Sequence, residues 1–168
     1  MILVALGANL SSPKFGEPPL SLEAALSLLE TEEVRVLRRS RWYRSAPVPV
    51  SDQPWYVNGV AELVTALSPA DLLAALHRTE ARFGRVRGER NAARVLDLDI
   101  IAYHDQLSEP GDPPPELPHP RMHERAFVLV PLAEIVPGWR HPRLGLTVEE
   151  MVRALPRGQE ATVFKGER

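Results

Sequence analysis

Arg90-Asn91-Ala92-Ala93-Arg94-Val95-Leu96-Asp97-Leu98-Asp99-Ile100-Ile101 reads as a basic loop running into a strand. Alternate side chains of a strand share a face, so Asp97 and Asp99 point one way while Leu96, Leu98 and Ile100 point the other. Aspartate is depleted in strands, and two neighbouring carboxylates repel each other. A cation cancels that repulsion. Hard oxygen ligands suit Mg²⁺, which takes one or two carboxylates and completes its shell with water and phosphate oxygens. Arg82, Arg85, Arg87, Arg90 and Arg94 crowd the approach to the strand, and guanidinium forks match phosphate geometry. The stretch therefore marks a site for a polyphosphate with its metal. The plainer alternative is a polar strand edge beside a solvated helix face, and the unbroken aliphatic flank argues against it.

Upstream, the hydrophobic periods give the elements that carry this strand. Ile2–Leu6 reads as a short buried strand closed by Gly7-Ala8-Asn9, and Leu22, Ala25, Leu26 and Leu29 have helical spacing. Val34–Arg44 and Tyr56–Thr65 read as two strands joined by the loop Ser45–Pro54, where Pro47, Pro49 and Pro54 forbid a helix. Ser68-Pro69-Ala70-Asp71 is a helix start, followed by the stripe Leu72, Leu73, Leu76, Phe83 and a stop at Gly84. The last strand is Leu96–Tyr103. The order β-α-β-β-α-β predicts an α+β fold, a ferredoxin-like sandwich. A C-terminal extension follows: a proline-rich loop Pro110–Pro120, an apolar segment Phe127–Val136 and an amphipathic piece Thr147–Leu155.

With 168 residues, 44% of them hydrophobic and 25% charged, the chain is expected to form one domain, 1–168, around a full core. The net charge of −2 argues against a dedicated nucleic-acid binder, yet residues 78–94 hold six Arg against two Glu, which favours a local anionic ligand. Cysteine is absent, so disulfides and thiol catalysis are excluded. There is no basic leader and no apolar run of the roughly 18 residues a membrane span needs. The expectation is a cytoplasmic monomer acting on small molecules, with neither nucleic acid nor membrane as partner. No Walker A phosphate loop is present, which disfavours a P-loop kinase.

Several polar or aromatic features fall outside core logic. Tyr56 and Asn58 share a strand face, His77 and Glu80 sit i, i+3 on the second helix, and Pro118-His119-Pro120-Arg121 precedes Arg125-Ala126-Phe127. Each alone is as readily packing or surface; together with the aspartate pair they form a constellation. At this point the chain resembles the 6-hydroxymethyl-7,8-dihydropterin pyrophosphokinase family. The resemblance is carried by Leu6-Gly7-Ala8-Asn9-Leu10, Asp52-Gln53-Pro54-Trp55-Tyr56-Val57-Asn58, Phe83-Gly84-Arg85-Val86-Arg87, Arg94 to Ile100, and His119 to Phe127, in order from Val4 to about Pro137.

The resemblance implies transfer of pyrophosphate from ATP to the pterin hydroxymethyl oxygen, with release of AMP. It implies two Mg²⁺ ions on Asp97 and Asp99, with Arg85, Arg87, Arg90 and Arg94 as the catalytic cations around the triphosphate. His77, Glu80, Ile100, His119 and Arg125 join Arg87, Arg90 and Arg94 on the ATP side. Tyr56 and Phe127 match the aromatic pair that sandwiches the pterin, Asn58 reads its edge, and Ser45, Ala46, Val48 and Asn91 complete that pocket. Many members carry Trp-Gly-Pro where this chain has Asn91-Ala92-Ala93, so Asn91 supplies no aromatic lid; Ala46 replaces a frequent Pro. Two other readings are a ferredoxin-like binding module without turnover and a different Mg²⁺-dependent phosphotransferase. The first should show exposed strand aromatics on a basic surface, and the second need not keep Tyr56, Asn58 and Phe127.

Overall fold

A computed structural model describes residues 1–47, 49–84 and 93–165. The chain forms β1 (Ile2–Ala8), α1 (Pro18–Leu29), β2 (Val34–Arg39), β3 (Tyr43–Ser45), β4 (Tyr56–Thr65), α2 (Pro69–Arg82), β5 (Asp97–Tyr103), α3 (Ala126–Ile135), α4 (Val148–Arg153) and β6 (Ala161–Val163). All strand pairings are antiparallel: β5 pairs β1, β1 pairs β4, and β4 pairs both β2 and β3, with β6 outside β3. The fold is thus a mixed α/β arrangement on one antiparallel sheet.

The local chemistry follows the sequence closely. Ser68 caps α2, its side chain accepting from the Asp71 N–H at 3.1 Å, with Pro69 in the first turn. Thr147 and Glu150 form a reciprocal capping box on α4. Leu72 and Leu76 of α2 and Leu22, Ala25 and Leu29 of α1 are buried on one face of the sheet, against Val4, Leu6, Leu98 and Ile100. Fully burying one such leucine contributes roughly 1.5–3 kcal/mol. The second face is covered by the extension: Val128, Leu129 and Leu132 of α3 and Val148 and Met151 of α4 pack on Leu3, Val60 and Ile101. Helix α3 is apolar at every position but Glu134, which is exposed.

Two features depart from the expected elements. The predicted strand Val34–Arg44 is two strands that share one edge of β4, β2 beside residues 61–65 and β3 beside 56–58. The break has its cause in the partner strand β4. Ser40 takes over at Val60, giving its backbone N–H to the Val60 carbonyl and accepting the Val60 N–H on its hydroxyl. Trp42 then lies flat against Gly59, where a Cβ would stand 2.6 Å from the indole. The second departure is β6, a three-residue strand without a readable period.

Candidate active site

The face of the sheet that α3 and α4 cover is left open at one end. There β1 presents Ala5 and Gly7, too small to fill the space above them, and a cavity of about 330 Å³ opens. Strand register decides what stands around this floor. Gly7 lies opposite Asp97 on one side and Asn58 on the other, and Ala5 lies opposite Asp99. The period-2 reading of the aspartate strand holds: Asp97 and Asp99 line the cavity, while Leu96, Leu98 and Ile100 are buried in the α1–α2 core.

Each wall has its own support. From β3 and β4 come Ser45, Ala46, Tyr56 and Asn58. The Asn58 amide is buried and donates to the Ser45 hydroxyl at 2.6 Å. A Cβ on Gly7 would stand 2.9 Å from Asn58 Oδ1, so the amide keeps its place only because residue 7 is glycine. Opposite stand His119, Arg125 and Phe127. His119 is pinned beside the aspartates by its backbone N–H, which donates to the Ile101 carbonyl of β5 at 2.9 Å. The Arg125 guanidinium lies 5.4 Å from the centre of the Phe127 ring.

Electrostatics sort these groups. Burial first, then the Arg125 and Arg121 charges, push the His119 imidazole down to about 4, against an opposing pull from Asp97. His119 Nδ1 accepts the Arg121 N–H at 3.2 Å, which leaves Nε2 as the protonated nitrogen of a neutral ring. Burial and the neighbouring Arg121 also lower Arg125, with Asp99, Asp97 and Glu124 acting the other way; a guanidinium nonetheless stays charged. The cavity therefore combines two carboxylates, arginines and a neutral imidazole donor. It can hold an anion through the cations and a cation through the carboxylates.

The structure brings together Ser45, Ala46, Tyr56, Asn58 and Arg94 with Asp97, Asp99, His119, Arg125 and Phe127. His77 is exposed on α2 and does not line this cavity. Glu80 is 2% exposed, and its carboxylate accepts the Leu98 N–H at 2.8 Å, seating β5 from below. The Ile100 side chain is buried in the core and does not line this cavity. Val48, Arg85, Arg87, Arg90 and Asn91 lie outside the described residues.

Sequence reasoning missed three groups. Arg121 and Gln53 line the cavity. Arg121 was visible as a cation inside the His-Pro-Arg run, and Gln53 inside the block Asp52 to Asn58 that carries the resemblance, though neither was assigned a role. The third is Asn9, 3% exposed at the end of β1. Its amide donates to Gln53 Oε1 at 3.1 Å and to the Pro54 carbonyl at 3.0 Å, and its Oδ1 accepts the Arg94 N–H at 2.8 Å. One buried side chain thus ties both segments that border the cavity.

The donor set fits a hard divalent cation whose remaining ligands come from a phosphate substrate. Two carboxylates stand on one strand face, and no cluster of three or more His, Cys, Asp or Glu that could hold a metal occurs among the described residues. A closed protein cage of the zinc type is not what these residues build.

Residues 3–137 match the family described as 7,8-dihydro-6-hydroxymethylpterin-pyrophosphokinase, HPPK. The chain is 44% identical over 156 residues to a 2-amino-4-hydroxy-6-hydroxymethyldihydropteridine pyrophosphokinase of Pseudomonas aeruginosa, covering 92% of this chain and 91% of that protein. It is 41% identical to the enzyme of the same name from Synechocystis, covering 89% and 73%. Among solved structures, an HPPK-DHPS in complex with substrates superposes with a TM-score of 0.66 at 12% identity, over 91% of this chain and 43% of that one. Plasmodium falciparum HPPK-DHPS gives 0.68 at 14% identity, over 91% and 42%. The last two likenesses concern the fold.

Proposed function

The chain belongs to the HPPK family, and on that premise we propose how the cavity above β1 divides the work of a pyrophosphokinase between its walls. The reaction is transfer of pyrophosphate from ATP to 6-hydroxymethyl-7,8-dihydropterin in folate synthesis, and the enzyme is an ATP-dependent transferase. The pterin hydroxymethyl oxygen attacks the β-phosphorus, the bond from that phosphorus to the α–β bridging oxygen breaks, AMP departs with that oxygen, and the hydroxyl proton is released to solvent.

In our reading, the β3–β4 wall and Phe127 take the pterin. Tyr56 and Phe127 flank the flat ring, and stacking adds roughly 0.5–1.5 kcal/mol beyond burial. Asn58 has one amide hydrogen committed to Ser45 and offers the other, with its carbonyl oxygen, to the ring edge. Ser45, Ala46, Val48 and Asn91 complete the pocket. Arg94, Arg125 and His119 face the phosphates, with Arg85, Arg87 and Arg90 joining them; neutral His119 donates from Nε2 to a phosphate oxygen. His77, Glu80 and Ile100 belong to the ATP end, Glu80 acting through the strand it seats.

Asp97 and Asp99 would hold Mg²⁺, two ions in this reading, which supplies charge neutralisation along the triphosphate when bound. The rest is positioning and charge stabilisation by the chain, which phosphoryl transfer accepts in place of a dedicated base.

The fold also fits the ferredoxin-like arrangement proposed from the sequence: the order β5-β1-β4-β2 is that of a β-α-β-β-α-β unit, with β3 and β6 added at the side. We read residues 1–168 as one pyrophosphokinase domain, because both cores share the sheet. No helix among the described residues is long and apolar enough to cross a membrane. We take the protein as a cytoplasmic monomer.

The observation that supports the site reading is the register Asn58–Gly7–Asp97 across three strands, with the amide that would read the ring and the carboxylate that would hold the metal at the two sides of one glycine. The test is product analysis with ATP, Mg²⁺ and the hydroxymethyl dihydropterin. AMP should appear in step with the pterin diphosphate. Release of ADP with a pterin monophosphate would overturn the assignment.

A further inference from the structure

Gln159 lies beyond the residues 3–137 that match the family, on the segment between α4 and β6. Its side-chain amide makes two bonds to the backbone on either side of one residue. Gln159 Oε1 accepts the Ala126 N–H at 2.9 Å, and Nε2 donates to the Glu124 carbonyl at 2.7 Å. The residue bracketed between them is Arg125. Arg125 is the extended residue that opens α3, with no side-chain cap of its own, so Gln159 supplies from a distance the partner that the first N–H of α3 otherwise lacks. Two residues later the same segment becomes β6 and pairs with β3, where Ala161 lies opposite Ser45.

Packing does not duplicate this hold. A second cavity, of about 200 Å³, lies between Ala46, Phe127 and Gln159, so the opening of α3 is not wedged from that side. Arg125 itself is held by its N–H on the Met122 carbonyl and by its carbonyl accepting from Val128 and Leu129, and the two Gln159 bonds fix the peptide groups that flank it. We infer that Gln159 is a positioning residue for the pyrophosphokinase site: it fixes the backbone on both sides of Arg125 and so aims that guanidinium at the triphosphate, while β6 holds the Ser45 wall in register with it. This rests on the ATP role proposed above for Arg125.

The test is a double-mutant cycle in the full-length protein. Gln159→Met keeps the packing volume and removes both bonds. It should raise KM for ATP roughly 5- to 20-fold, the scale of two neutral hydrogen bonds, at nearly unchanged kcat. In an Arg125→Ala background it should add less than about a further factor of two, because its effect passes through Arg125. Gln159→Glu, which keeps the acceptor for the Ala126 N–H and loses the donor, should fall between, and it carries the cycle if the methionine variant does not fold. A loss confined to kcat, or equal losses in both backgrounds, would mean that Gln159 only stabilises the fold and would overturn the inference. An Arg125→Ala variant with normal ATP kinetics would instead overturn the assigned role of Arg125, and the inference with it.

Discussion

Asn9 and Arg94 are joined by two hydrogen bonds, and Leu10 adds a third: the Arg94 N–H donates to Asn9 Oδ1, and the Arg94 carbonyl accepts the backbone N–H groups of Asn9 and Leu10. The end of β1 and the approach to β5 therefore meet at one point, above the edge of the cavity. With its other side-chain bonds to Gln53 and Pro54, Asn9 joins the two segments that border the cavity.

Asn9→Ala should cost about 1.5–4 kcal/mol of stability, since three side-chain bonds from a buried amide are lost. Urea unfolding measures it. The same variant should lower kcat/KM for both substrates, because both walls lose their common anchor. A normal kcat/KM in a folded Asn9→Ala protein would show that the anchor serves stability alone.

Asp97→Asn and Asp99→Asn should each cut turnover by several orders of magnitude without lowering the melting temperature. Each keeps the shape of the side chain, removes a charged metal ligand and relieves repulsion between neighbouring carboxylates. Turnover as a function of Mg²⁺ separates this from a folding defect: near-normal rates at limiting Mg²⁺ would exclude these carboxylates as ligands.

Much of this was written in the sequence, and the reasons for the exceptions are physical. The faces of Leu96 to Ile101, the cap at Ser68 and the strand Tyr56–Thr65 follow from local rules of period and capping, which do not depend on the rest of the chain. The break at Ser40–Trp42 was hidden because it arises from a partner strand: Trp42 needs the bare backbone of Gly59, and nothing near residue 42 announces that. Asn9 and Gln159 were hidden for the same reason, since their partners lie 85 and 33 residues away. Short β6 has no period of its own and exists because β3 offers an edge.

Phe127→Ala should weaken pterin binding by roughly 1–3 kcal/mol and leave ATP binding nearly unchanged, because burial and stacking on one ligand are lost. Gly7→Ala should weaken the pterin as well, by pushing Asn58 Oδ1 off its place, although residue 7 contributes no functional group. Calorimetric titration with each ligand decides both. Equal losses of pterin and ATP affinity would remove the pterin from this wall.

Stability should fall as the solution is acidified from about pH 6.5 to about 4. Burial, with the nearby His123 and Arg143, holds buried His141 at about 4, and its Nδ1 accepts the N–H groups of Arg143 and Leu144. His119 is held at about 4 as well. In the unfolded chain both titrate near 6.5, so within this window the unfolded state binds more protons and is favoured as pH drops. His141→Asn, whose carbonyl can accept the same two N–H groups, should flatten the slope by close to one proton. Denaturant midpoints measured from pH 4 to 7 test the sign and the size.

The floor of the cavity is made by what β1 lacks. Ala5 and Gly7 perform no chemistry, yet they set how much room the substrates have, and they sit on a central strand bonded on both edges. An inhibitor pressed against that floor would meet little scope for escape by mutation: a side chain at residue 7 presses on Asn58 Oδ1, a larger one at residue 5 takes up the space above the strand, and only Ala5→Gly makes that space bigger. Compounds that draw their affinity from the walls would have no such protection, because a wall residue can change shape while the floor, and the reaction above it, stays intact.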